Sequence, residues 1–142
     1  MRTITADLVS GYRVDISNGR HHWAADEPGA QGGTDEGPSP YDLLLGSVAA
    51  CTAITVAMYA DRKGIAVDSI SARYSYDRVH AADSEGCEVE PGQWLHQVTS
   101  EIFIEGDFTL EVRERLGEVA RRCPVHRTLE EGVTFIDEVV VG

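Results

Sequence analysis

Two of the three cysteines lie where a thiol could take part in chemistry. Cys51 lies near the middle of an apolar stretch, and Cys123 lies far along the chain, immediately before Pro124. If the helices that carry them pack together, the two thiols could approach disulfide distance. Taken singly, a cysteine in an apolar helix is most often a small core side chain, and that interpretation stays open for each. A helix start at Pro124 would lower the pKa of the Cys123 thiol, and His126 and Arg127 add positive charge nearby.

The stretch SPYDLLLGSVAACTAITVAMYADRKG, residues 39–64, predicts the helix that carries Cys51. Ser39 is suited to cap the first amides, Pro40 to occupy the first turn, and Gly64 to end the helix. The helix is apolar nearly all round, so we expect it to be central and buried on every side. We also expect it to be too short and too closely flanked by charge to cross a bilayer.

Periodic apolar residues predict the remaining elements. A second helix at about 109–122 carries an apolar stripe that extends to Cys123, and residues 26–37 form a glycine-rich acidic loop. A further polar loop is expected at 81–93, with Asn18-Gly19 as a hairpin turn. The predicted strands lie at about residues 4–8, 12–16, 20–25, 66–80, 94–105 and 133–141. This order predicts a single α+β domain that covers residues 1–142.

The overall charge excludes some classes of function. The formal net charge is -12, which argues against binding to nucleic acid or to an anionic membrane. The N-terminal residues lack the pattern of a signal peptide, so we expect a cytoplasmic protein. Three cysteines cannot all pair within one chain, and a reducing compartment favours a catalytic, metal-binding or redox-sensing role for a pair.

Two sequence motifs resemble a known family. GPSPYDLLLGSVAAC contains Cys51, and CPVHRTL begins at Cys123. Together with the GG-x-D-x-GPSPY approach to the helix, they resemble the osmotically inducible protein C and organic hydroperoxide resistance proteins (OsmC/Ohr). NGRHHWAADEP and the Tyr41-Asp42 pair are most similar to a less characterised OsmC-like branch. The resemblance implies two curved antiparallel sheets around two central helices, in an intertwined homodimer with active sites at the subunit interface.

The resemblance also implies a function. Members of the family act like peroxiredoxins in the oxidative stress response, reducing organic hydroperoxides with a cysteine at the position of Cys51. A sulfenic acid then forms there, and Cys123 would resolve it as a Cys51–Cys123 disulfide. A dithiol reductant, such as a lipoyl group on a protein, would reset the pair. We expect no cofactor and no bound metal.

Peroxidase chemistry needs a cation beside the buried thiol, because burial alone raises a thiol pKa. The family supplies an arginine held by a carboxylate. Arg20 is the first candidate here and Arg13 the second. The carboxylate of the peroxidase branch would fall at Tyr41, so Asp42 is the nearest substitute. Either arginine could instead be a solvated surface charge.

Two alternatives remain open. The four histidines His21, His22, His80 and His96 could join Cys87 in a metal site, although their spacing is unlike that of common metal motifs. Cys87 is otherwise an exposed loop thiol. The second alternative is a non-catalytic OsmC-like protein that binds a small apolar ligand at the dimer interface.

Overall fold

The computed structural model describes residues 1–80 and 93–142. Within these residues the chain has the predicted α+β composition, with two antiparallel sheets and three α-helices. The strands are β1 (Thr5–Ser10), β2 (Arg13–Ser17), β3 (His22–Ala25), β4 (Ser69–His80) and β5 (Trp94–Glu105), and the helices are α1 (Pro40–Lys63), α2 (Leu110–Ala120) and α3 (Pro124–Glu131). The chain divides into two compact units, Met1–Ser47 and Val48–Gly142. The single domain stays a prediction.

The first unit contains an antiparallel sheet with the strand order β1-β2-β3. The expected hairpin turn at Asn18-Gly19 joins its second and third strands. The side-chain oxygen of Asn18 accepts hydrogen bonds from the backbone amides of Arg20 and His21, at 3.0 and 2.7 Å. Gly19 has φ +85°, a backbone conformation that favours glycine. The turn is thus fixed by the two residues that predicted it.

A buried carboxylate organises the acidic loop that leads to α1. Asp26 is 2% exposed and accepts hydrogen bonds from the backbone amides of Glu27, Thr34 and Glu36 and from the Thr34 hydroxyl. Gly33 must be glycine, because a Cβ there would collide with the backbone carbonyl of Glu27. The loop therefore has a specified conformation although it contains no regular element apart from one 3-10 turn at Gly29–Gln31.

The buried face of α1 is a single stripe. Its buried residues are spaced by four along the helix and comprise Val48, Thr52, Val56 and Ala60. Ile54 and Met58, on another face, are 57% and 58% exposed. The expectation that α1 is buried on every side is therefore wrong for the isolated chain, because its own elements cover only one face.

The length of α1 also corrects an expectation. Its 24 residues span about 36 Å at the usual helical rise, which is enough for the hydrocarbon core of a bilayer. Among the described residues it is the one helix long and apolar enough to cross a membrane, with a mean hydropathy of 1.9 over an 18-residue stretch of it. This is a weak argument for a membrane span, since the core helix of a folded domain passes the same test.

The second unit joins a long hairpin to α1 and α2. Strands β4 and β5 pair along their full length, from Ser69 opposite Glu105 to His80 opposite Trp94. Inward residues of β4 alternate with exposed ones as the sequence predicts. The core cluster comprises Val56, Leu116, Val119 and Ala120, packed against partly buried side chains that include Ile70, Ile102 and Phe108. The predicted apolar stripe of α2 faces this core.

The expected final strand at 133–141 is wrong for this chain alone. Residues 133–142, all of them described, form neither helix nor strand and are exposed. Phe135 and Ile136 are 78% and 96% exposed. A strand requires a neighbour to pair its backbone groups, and neither sheet supplies one here. The loop expected at 81–93 falls mainly outside the described residues, and Cys87 lies outside them.

We predict that Asp26→Asn lowers the melting temperature at pH 7. The Thr34 hydroxyl, with the amides of Glu36, Glu27 and Thr34, holds the pKa of Asp26 below its ordinary value of 3.8 against the opposing effect of burial. A lowered pKa in the folded state gives stability above the unfolded pKa, and that stability is lost as pH falls through the folded pKa. The deficit of the variant, measured by thermal unfolding, should therefore shrink at acid pH.

Asp35→Asn is the matched control, because it removes the same charge from an exposed position in the same loop. Asp35 has φ +56°, which asparagine tolerates. If the two variants lose the same amount of melting temperature at pH 7, the negative charge alone stabilises the loop, and the hydrogen bonds of Asp26 do not.

Candidate active site

The structure brings the thiols of Cys51 and Cys123 together. Both are free thiols; Cys51 is partly buried and Cys123 is fully buried. The two side chains interact directly and influence each other's ionisation. Cys51 lies in the middle of α1, and Cys123 is the residue that precedes α3. Two thiols in contact form a pair that can hold one negative charge more easily than two.

Cys123 has the environment of a stabilised thiolate. Burial raises its pKa, but hydrogen bonds from Cys51, from the backbone amides of His126 and Val125 and from Thr52 outweigh this and lower it overall. The amides are free because Cys123 lies at the N-terminus of α3, where helical amides have no intrahelical partner. When protonated, Cys123 Sγ can instead donate to the carbonyl oxygen of Val48, at 3.8 Å.

The pKa of Cys51 is shifted in the opposite direction. Burial raises it first, and the neighbouring Cys123 raises it further. The amide of Val125 and the side chain of Thr55 lower it, but by less. Among the described residues, none of the groups that shift the pKa of Cys51 is a cation. When the pair carries one negative charge, that charge therefore lies mainly on Cys123, and the Cys51 thiol donates a hydrogen bond to it.

Thr52 and Tyr74 complete this centre and were missed as site residues. Thr52 is fully buried, and its hydroxyl lies 2.9 Å from the hydroxyl of Tyr74 on β4. Thr52 also donates to Cys123, so Tyr74 orients the hydroxyl that faces the sulfur. A hydroxyl residue adjacent to Cys51 in an otherwise apolar stretch is the sequence signal that could have identified Thr52.

The structure does not join Arg20 and Asp42 in an ion pair, and both are described residues. Arg20 is exposed in the turn between β2 and β3. The Asp42 carboxylate accepts the amide and hydroxyl of Ser39, at 2.9 and 2.7 Å, while the Ser39 hydroxyl accepts the amide of Asp42. This is a reciprocal cap on α1. Ser39 thereby holds the pKa of Asp42 below its ordinary value.

In the described part of the chain, Arg13 has carboxylate partners and Arg20 has none. Its guanidinium lies 3.2 Å from Asp15 and 3.8 Å from Glu36. Its Nε atom is buried without a hydrogen-bond partner in the described part of the chain. Glu36 belongs to the loop that Asp26 organises. An arginine held by a carboxylate is thus present in the first unit, and sequence reasoning ranked it second and missed its partner.

The described residues contain no group of three or more histidine, cysteine, aspartate or glutamate side chains placed to hold a metal ion. Of the histidines considered for such a site, His96 contacts Tyr76 through Nδ1 at 2.6 Å, and His80 packs edge-on against Trp94. Cys87, the proposed thiol ligand, lies outside the described range.

Comparison with protein families decides the assignment. The pattern of the family described as OsmC-like protein matches residues 33–136, which include both Cys51 and Cys123. The chain belongs to the OsmC-like protein family. No protein with a curated description matches it.

Solved structures show that this OsmC-like protein has the OsmC/Ohr fold that the sequence motifs imply. An OsmC-like protein from Mycoplasma pneumoniae is 23% identical, with a TM-score of 0.64 over 92% of this chain and 87% of that one. An organic hydroperoxide resistance protein from Legionella pneumophila is 17% identical, with a TM-score of 0.60 over 89% and 87%. One from Elizabethkingia anophelis is 20% identical, with a TM-score of 0.62 over 89% and 86%.

We predict that Cys51→Ala raises the pKa of Cys123 and that Cys51→Ser raises it less. Alanine removes the hydrogen-bond donor that helps to lower this pKa, whereas the serine hydroxyl keeps a donor. The measurement is the thiolate absorbance of Cys123 against pH, with Cys87 replaced by serine in every protein. A Cys123 pKa that is no higher in Cys51→Ala than in the protein that keeps Cys51 would show that the Cys51 side chain does not stabilise the Cys123 thiolate.

Proposed function

We propose that this OsmC-like protein is a thiol-dependent peroxidase that reduces organic hydroperoxides. The observation that carries the proposal is the contact between Cys51 and Cys123, whose pKa values are shifted in opposite directions. Two of its structural neighbours are named organic hydroperoxide resistance proteins. The apolar helix around Cys51 favours an alkyl or aryl peroxide over hydrogen peroxide.

The reaction proceeds in three balanced steps. The Cys51 thiolate attacks the distal oxygen of the hydroperoxide, the O–O bond breaks, and the alkoxide takes a proton and leaves as an alcohol. Cys51 is then a sulfenic acid. The Cys123 thiolate attacks its sulfur, an S–S bond forms, and hydroxide leaves and becomes water. An external dithiol finally reduces the Cys51–Cys123 disulfide by exchange and is itself oxidised.

The second step suits the environment of Cys123. Its lowered pKa increases the thiolate fraction that can attack the sulfenic acid. Because its sulfur contacts Cys51, no large movement is needed before the disulfide closes. Rapid closure protects Cys51 from further oxidation to a sulfinic acid.

The first step requires a cation that lowers the pKa of Cys51. Arg13 is the stronger candidate because two carboxylates, Asp15 and Glu36, hold its guanidinium, and Arg20 remains the alternative. Either residue would serve in this role through its positive charge. Asp42 stabilises the N-terminus of α1, and we assign it to positioning that helix.

We further propose that the active protein is an obligate homodimer in the cytoplasm. Ile54 and Met58 expose an apolar face of α1, and Phe135 and Ile136 expose an apolar C-terminal segment. Large exposed apolar surfaces mark interfaces. A second copy would supply the strand neighbour that residues 133–141 lack. We propose that a dithiol, such as a protein-bound lipoyl group, is the reductant. We propose no interaction with nucleic acid or membrane.

We predict that the purified protein consumes cumene hydroperoxide in the presence of dihydrolipoamide. Cys51→Ser should reduce turnover by at least about a hundredfold, because the nucleophile is lost. Cys123→Ser should allow one turnover and leave a sulfenic acid at Cys51, detectable by mass spectrometry. Cys87→Ser is the matched control and should retain turnover. Wild-type activity no greater than that of Cys51→Ser would favour the non-catalytic alternative that binds an apolar ligand.

We predict that the protein sediments as a dimer at micromolar concentration and that Ile54→Glu weakens it. The glutamate would place a charge in the proposed apolar interface. Gln97→Glu adds the same charge at an exposed position of β5 and serves as the control. A wild-type monomer in sedimentation velocity would contradict the homodimer.

A further inference from the structure

A cavity of about 500 Å³ is lined by α1 and the C-terminal half of α2, outside the thiol centre. Four of its lining residues are cationic: Arg62, Lys63, Arg115 and Arg122. They make up a third of the 12 lysines and arginines in a chain whose net charge is -12. The positive charge around this cavity is therefore opposite in sign to the net charge of the protein. The name "basic cavity" is used below for this cavity together with its four cationic residues.

Arg115 is held in a fixed position in the wall of the basic cavity. Its Nε atom donates to the hydroxyl of Tyr59, at 3.3 Å, and its guanidinium lies 5.7 Å from the centre of that ring. Its Nη1 atom donates to Glu118, at 2.6 Å. The side chain therefore has little freedom to lose when it binds a ligand, which favours binding.

The cations of the basic cavity outnumber the carboxylates that pair with them in the described part of the chain. Glu118 is the carboxylate that pairs with Arg115, and it reaches Arg122 only at 4.0 Å. Arg62 donates Nε to the carbonyl oxygen of Met58. Within residues 1–80 and 93–142, neither Arg62 nor Lys63 forms an ion pair. At least two cations thus remain available to an anion.

We propose that the basic cavity binds an organic anion that has a carboxylate and an apolar body. Arginine forks match the geometry of a carboxylate and hydrogen-bond it in pairs. The ring of Tyr59 and the side chain of Val119 offer contacts to an apolar body. The volume is within the range of small-molecule sites. The net charge of the chain repels anions, so a free organic acid needs this local reversal of charge to be held.

The basic cavity lies close to the turn of α1 that carries Cys51. Thr55 lines the cavity, and its hydroxyl donates to the backbone carbonyl oxygen of Cys51 at 2.7 Å. Thr55 thus places one end of the cavity about one helical turn from Cys51. The binding proposal itself does not rest on peroxidase activity, because the ligand need not react.

The test is calorimetric titration of the reduced wild-type protein with octanoate at low ionic strength. We expect saturable binding of octanoate, no binding of the uncharged octanamide, and weaker binding of inorganic phosphate. Octanoate contains no peroxide, so its failure to bind leaves the peroxidase proposal untouched. Equal affinity for octanamide would overturn the role of the cations, and phosphate affinity equal to that of octanoate would overturn the role of the apolar body.

A pair of double variants locates the site. Arg62→Gln with Arg122→Gln should weaken octanoate binding by about tenfold or more, because charge-assisted hydrogen bonds are lost. Arg73→Gln with Arg121→Gln removes the same charge from exposed positions that do not line the basic cavity, and should leave binding nearly unchanged. Circular dichroism verifies that all the variants fold. Equal affinities in the two double variants, or no octanoate binding by the wild type, would overturn the proposal.

Discussion

The contact between Cys51 and Cys123 depends on a break in the chain between two helices. Helix α2 ends at Ala120, and α3 starts at Pro124, so Cys123 lies at the N-terminus of a new helix. Proline has no amide hydrogen, and the first amides that can turn towards the sulfur are those of Val125 and His126. A continuous helix would have used these amides for its own hydrogen bonds. The interruption therefore creates the environment that stabilises a charge on Cys123.

A single shared charge also explains why the two thiols differ. Once Cys123 is a thiolate, its negative charge opposes ionisation of Cys51, whose S–H then acts as a donor. A peroxidase in which Cys51 attacks first therefore needs a positive group that lowers the pKa of Cys51 and makes it ionise more easily. Arg13 is fixed by carboxylates, one of which, Glu36, belongs to the loop that the buried Asp26 holds in place. The glycine-rich acidic loop thus leads to α1 and also holds the carboxylate of Glu36 beside Arg13.

Local patterns predicted the elements, but features that depend on residues distant in sequence could not be predicted from them. Asn18-Gly19 fixed a hairpin by its own chemistry, and the stripe of α2 led correctly to the buried Cys123. Residues 133–141 alternate like a strand, but a strand exists only beside a partner, which periodicity cannot supply. Thr52 is one of the few polar residues of α1, but the sequence does not reveal its distant partners Cys123 and Tyr74. Asp42 could have been read as a cap, since it follows Ser39 by three residues.

Net charge is a poor guide to what a particular surface of this protein binds. The value of -12 sums charges over the whole chain, whereas a bound ion responds mainly to groups within about 10 Å at ordinary salt. Arg62 and Lys63 are the last two residues of α1, Arg115 lies in α2 and Arg122 follows it, so the packing of two helices collects cations that are far apart in sequence. Within residues 1–80 and 93–142, Glu118 is the one carboxylate that pairs with these four cations, so they outnumber the negative charge that neutralises them. The exclusion of nucleic acid and anionic membranes concerns extended surfaces, and it does not extend to a small anion in a cavity.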